Sequence, residues 1–133
     1  MTQDIDFIIS TDKENIEKIL NVLEKLNYIP RLPINPILLT DENIRKEWIK
    51  EKNLKAFTFN HKTEMFKTID MLLVHNLNFE QAFLKRVEID IGDFKIKVVA
   101  VDDLISMKEY AGRAKDFEDI EALQYIYMNK GEN

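Results

Sequence analysis

Cysteine is absent from the chain, which removes disulfides, thiolate zinc sites and cysteine nucleophiles together. Glycine occurs only as Gly92, Gly112 and Gly131, a scatter that excludes a Rossmann phosphate fingerprint. No Gly-x-x-x-x-Gly-Lys loop exists, so P-loop chemistry is excluded as well. The only histidines, His61 and His75, lack a His-Glu-x-x-His spacing, which argues against zinc. No apolar run exceeds four residues, so neither a membrane-spanning helix nor a secretory signal region is expected. Positive charge is not in excess either. The formal net charge is −5, which disfavours binding to duplex DNA through phosphate neutralisation. Small anionic ligands stay open, because a metal ion and a few lysines can supply local positive charge. A cytoplasmic location fits these absences.

What is present is an ordinary globular composition, 45% hydrophobic and 32% charged over 133 residues. A single domain spanning 1–133 is expected, burying about two-thirds of its unfolded surface. Residues 4–9 read as a strand. Thr11 with Glu14 makes a capping box, and Ile16, Ile19, Leu20, Leu23 and Leu26 follow at helical spacing. That helix should stop near Asn27. All three prolines fall within 30–36, which excludes regular helix there. Thr40 is the next expected cap, for a helix over 41–52 with Ile44, Trp48 and Ile49 inward.

Residues 56–60 and 68–74 read as strands, and 79–85 as a short helix. Segments 86–91 and 94–101 alternate well and are separated by Gly92-Asp93, a hairpin signature. Two helices close the chain, over 102–111 and from Lys115, the second with a stripe of Phe117, Ile120, Leu123, Ile126 and Tyr127. The tail from Lys130 should fray. Trp48, Phe57 and Phe59 are expected in the core. The fold class is therefore α+β, or α/β-like, with a mixed sheet flanked by helices.

Three aspartates stand out within this scheme. Asp4 and Asp6 open the first strand, where i and i+2 project from one face and bring the two carboxylates side by side. Like charges held together are relieved by a divalent cation or a shared proton. Asp70 sits inside Thr68-Ile69-Asp70-Met71-Leu72-Leu73-Val74, an apolar run with no evident use for an acid. Asp-x-Asp on one strand with a lone Asp on another is the arrangement that holds magnesium for phosphoryl chemistry. The bland alternative leaves Asp4 a solvated terminal residue and makes Asp6 and Asp70 mere strand-end markers.

Three segments carry a family resemblance. Thr2-Gln3-Asp4-Ile5-Asp6-Phe7, Lys67-Thr68-Ile69-Asp70-Met71-Leu72, and residues 101–123, with Lys108 followed by Arg113-Ala114-Lys115-Asp116-Phe117-Glu118-Asp119, resemble minimal nucleotidyltransferases. These belong to the DNA polymerase beta superfamily, nearest to abortive-infection type nucleotidyltransferase toxins and related uncharacterised bacterial proteins. The resemblance implies a nucleotidyltransferase-like fold and a magnesium-dependent transfer of a nucleoside monophosphate from a nucleoside triphosphate to a hydroxyl. The acceptor would be a protein side chain, a small molecule or an RNA end. It further implies that Asp4, Asp6 and Asp70 are the catalytic metal ligands, Asp70 also serving as base. Thr2, Lys108, Arg113 and Lys115 would contact the nucleotide.

One departure accompanies the match. The family's Gly-Gly or Gly-Ser turn and motif arginine, which precede the Asp-x-Asp strand, have no counterpart before Met1. Either the reading frame begins at an internal methionine or the relative is shortened at its N-terminus. A second expectation follows from a different class, a non-catalytic nucleotide- or partner-binding remnant, toxin–antitoxin or defence related, that self-associates as a homodimer. A metal nuclease ranks last, for want of a histidine or lysine base at a matching spacing. Structural alternatives also stand for the cations. Lys108 could pair with Asp103 or Glu109, and an Arg113–Asp119 ion pair could lock the last two helices, with Asp116 meeting the helix dipole.

Overall fold

The computed structural model describes residues 4–130. They divide into two compact units between Val74 and His75.

In the first unit, β1 (Asp4–Phe7) leads into α1 (Lys13–Lys25), and β2 (Tyr28–Pro30) follows. A 3-10 turn (Pro36–Thr40) then precedes α2 (Glu42–Lys52), β3 (Ala56–His61) and β4 (Thr68–Leu72). The strands form one mixed sheet in the order β1-β4-β3-β2, with β1 parallel to β4 and the other pairs antiparallel. Strand alternation sorts the sheet into two faces. One buries Phe57, Phe59, Ile69 and Met71 against Ile16 and Leu23 of α1, Leu39 of the 3-10 turn and Trp48 of α2. The aromatic centre is Phe57, stacked on Trp48 with ring centroids 6.0 Å apart and tilted against Phe59 at 5.2 Å. The opposite face carries Asp4, Asp6, Thr58, Asn60, Thr68 and Asp70, the alternate residues of the same strands.

Local chemistry explains where the sequence reading shifts. Asp12, not Thr11, caps α1, its carboxylate accepting from Asn15 N–H at 3.0 Å. Likewise Asp41, not Thr40, caps α2, accepting from Asn43 and Ile44. In both cases a carboxylate directly follows the threonine, and it is an acceptor carrying charge toward the positive helix end. Leu26 falls outside the apolar stripe because the helix is already ending; it is 55% exposed. Asn27 and Asn53 take left-handed backbone after α1 and α2, a conformation that asparagine tolerates better than most residues. The strand β2 was not expected, since Pro30 cannot donate to a ladder. It lies at the sheet's rim, the position where proline is allowed.

In the second unit, α3 (Phe79–Leu84) precedes a hairpin of β5 (Val87–Asp90) and β6 (Lys95–Val98), then α4 (Val101–Ala111) and α5 (Ala114–Lys130). The hairpin turns at Gly92, whose φ of +105° few side chains tolerate. It makes a separate two-stranded sheet and does not extend the four-stranded one. Its register sets Val87 opposite Val98 and Ile89 opposite Ile96, while Glu88–Lys97 and Asp90–Lys95 alternate with them. Gly112 ends α4 in left-handed backbone, its N–H donating to Lys108 O. Of the stripe expected on α5, Ile120 is buried and Leu123 half-buried, whereas Phe117 and Ile126 are exposed. The side chain of Tyr127 and the tail beyond Lys130 lie outside the described residues, as does Thr2.

Candidate functional site

The parallel register brings the two acid strands together. Asp6 and Asp70 are Cα partners, as are Asp4 and Thr68. Across the antiparallel β3–β4 pair, Asp70 faces Thr58 and Thr68 faces Asn60. Two polar rows therefore cross the sheet side by side. In the first, Asp6, Asp70 and Thr58 are neighbours; in the second, Asp4, Thr68 and Asn60.

Hydroxyls hold two of the three carboxylates. Thr58 Oγ1 donates to Asp70 Oδ1 at 2.6 Å, and Thr68 Oγ1 donates to Asp4 Oδ1. Thr68 is itself buried, so its hydroxyl is a fixed donor and not a solvated one. Asp4 and Asp6 are exposed, and Asp70 is half-buried. Sequence thus places the three acids on one sheet face, and the strand-end reading of Asp70 fails, since it is the middle residue of β4. Among the described residues, however, no group of three or more His, Asp or Glu side chains converges closely enough to hold a metal ion by itself. Thr58 and Thr68 were missed by the sequence reading. Thr58 is signalled only as a polar residue between two aromatic strand neighbours, a pattern that any half-buried strand also displays, and Thr68, between Lys67 and Ile69, lacks even that.

The edge of this face adds a cation that was also missed. Arg31 continues the β2–β3 pairing, its N–H donating to Thr58 O at 2.9 Å. Arg31 Nε donates to Asn60 Oδ1 at 3.0 Å, which puts the guanidinium on the polar face. Asn60 is buried, and its amide nitrogen donates to Met65 O at 2.9 Å.

The expected nucleotide-contacting cations Lys108, Arg113 and Lys115 belong to the second unit. Lys108 pairs with Asp119 across α4 and α5, Nζ to Oδ2 at 2.9 Å, with both side chains partly buried. This replaces the expected pairings of Lys108 with Asp103 or Glu109, and of Arg113 with Asp119. Asp103 instead accepts from Lys85 Nζ at 3.1 Å, alongside Asp102 at 2.7 Å. Arg113 takes Asp116, whose carboxylate accepts from Arg113 Nε at 2.8 Å, Nη2 at 3.2 Å and the backbone N–H at 3.1 Å. Lys115 is exposed in the first turn of α5.

Asp116 is sealed from water, at 2% exposure. The Arg113 side-chain hydrogen bonds, ahead of the opposing desolvation, hold its carboxyl below the ordinary range. Because the folded value is depressed, the stabilisation is complete above the unfolded value, about 3.9, and is lost as pH falls through the folded one. Asp116→Asn is expected to lower stability at neutral pH and to flatten the acid limb below about pH 4. Urea unfolding of both proteins across that range checks this, and parallel acid limbs would refute it.

No protein-family model matches this chain, and no curated protein is similar to it.

Proposed function

We propose that the chain is a nucleotidyltransferase-fold protein whose Asp4–Asp6–Asp70 face takes a magnesium–nucleoside triphosphate and directs its nucleoside monophosphate to a hydroxyl, the α–β phosphoanhydride breaking as the new phosphodiester forms and pyrophosphate leaving. The observation that carries this reading is the parallel register: Asp6 and Asp70 are Cα partners, with Asp4 two residues along the same face. Magnesium is usually bound through one or two carboxylates plus substrate phosphates, not by an all-protein cage.

Held by Asp4, Asp6 and Asp70, such a cation would neutralise phosphate charge and ease deprotonation of the acceptor hydroxyl. The remaining work falls to the chain. Asp4 and Asp6, on the rim strand β1, receive the donor. Asp70, one strand further in, accepts the acceptor's proton. Thr58 occupies Asp70 Oδ1 and so orients the carboxylate for that task. The resemblance assigns phosphate contacts to Lys108, Arg113 and Lys115, which belong to the second unit.

Calorimetric titration with each of the four ribonucleoside triphosphates tests the reading. Binding is expected with magnesium, is expected to vanish in EDTA, and should be lost in Asp4→Ala and Asp6→Ala. Magnesium-independent binding, or none with any nucleotide, would discard the transferase and leave the partner-binding alternative.

A further inference from the structure

We infer that Arg31 forms a phosphate-binding subsite on the acceptor side of the acid face, so that the hydroxyl acceptor carries a phosphate group of its own. The assignment to an acceptor rests on the transferase reading; the subsite itself does not.

The side chain is held as an anion receptor. Its Nε is tied to Asn60 Oδ1 at 3.0 Å, and the Asn60 amide is in turn fixed by Met65 O. That tether is neutral and uses one nitrogen, leaving both Nη groups for a ligand. Among the described residues Arg31 forms no ion pair, although the chain is acidic overall. A guanidinium oriented through a neutral acceptor presents its planar fork to a bidentate oxyanion.

Position decides which substrate that oxyanion belongs to. Crossing the sheet, the order is Asp6, Asp70, Thr58, Arg31. With strands about 4.8 Å apart, the Arg31 backbone lies about 10 Å beyond Asp70, on the side away from Asp6. A donor seated at Asp4 and Asp6, with its acceptor hydroxyl at Asp70, leaves Arg31 beside the rest of the acceptor.

The test uses the full chain with nitrogen-15 arginine, in EDTA, titrated with inorganic phosphate and separately with acetate. Following the Nε–Hε resonances of Arg31, Arg45, Arg86 and Arg113, phosphate should shift Arg31 to saturation and acetate far less. Arg31→Gln should weaken phosphate binding tenfold or more with the backbone spectrum retained, and Arg31→Lys should weaken it less. A response confined to the other arginines, or an equal response to acetate, overturns the subsite. If magnesium–nucleotide binds at the acids while Arg31 ignores phosphate, this inference fails alone. If Arg31 binds phosphate but no magnesium–nucleotide binds, the transferase reading fails and takes the acceptor assignment with it.

Discussion

Replacing Phe57 by alanine is expected to cost about 3–5 kcal/mol, a large share of the net stability of a domain this size. The ring is 1% exposed and stands in β3, an interior strand of the four. It joins the helix layer to the sheet through Trp48, whose ring lies 19° from parallel with it, and joins its own strand through Phe59. Truncation removes both aromatic contacts and leaves a void that flanking strands, fixed by their ladders, can close only partly. Phe57→Leu, which keeps most of the apolar volume, is expected to cost less than about 1.5 kcal/mol. Midpoints of urea unfolding compare the three proteins. A loss under about 1.5 kcal/mol for the alanine variant would mean the core is not centred on this ring.

Asp70→Asn is expected to weaken magnesium-dependent nucleotide binding tenfold or more, at least about 1.4 kcal/mol, while stability shifts by less than about 1 kcal/mol. The two effects separate because asparagine keeps the shape and one oxygen. That oxygen still accepts the Thr58 hydroxyl, now 2.6 Å from the carboxylate. What disappears is the negative charge, which the proposed cation would require. Calorimetry and a thermal melt on the same preparation measure both quantities. Undiminished nucleotide affinity would show that the third acid is idle, and a collapse in melting temperature would assign it a structural role.

Legibility of the fold followed the strength of periodicity. The alternating residues of β3 and β4 and the Gly92 turn were readable because each strand has one buried and one polar face, and because a hairpin needs a residue tolerant of positive φ. The acids could be placed on one face from spacing alone. Their pairing partners could not, since Thr58 and Thr68 reach them only through inter-strand register, a property of two distant segments. Arg31 was hidden for a related reason. Three residues ending in proline, as in β2, have too little periodicity to read as a strand, and without the strand Arg31 has no face. Side-chain pairing across the last two helices was likewise misassigned. Whether Asp119 meets Lys108 or Arg113 depends on the chain reversal at Gly112, which spacing within either helix does not encode.

The parallel contact between β1 and β4 has a further consequence, for the order of events in folding. Asp4 and Thr68 are hydrogen-bonded partners 64 positions apart along the chain. Antiparallel β3 and β4 need only a short connection to find each other, but β1 must close a long loop, and such closures come at an entropic disadvantage. A nascent chain therefore holds Asp4 without its Thr68 hydroxyl through the whole synthesis of α1, α2 and β3. The chemistry proposed for the opening carboxylates has no geometry until β4 arrives beside them.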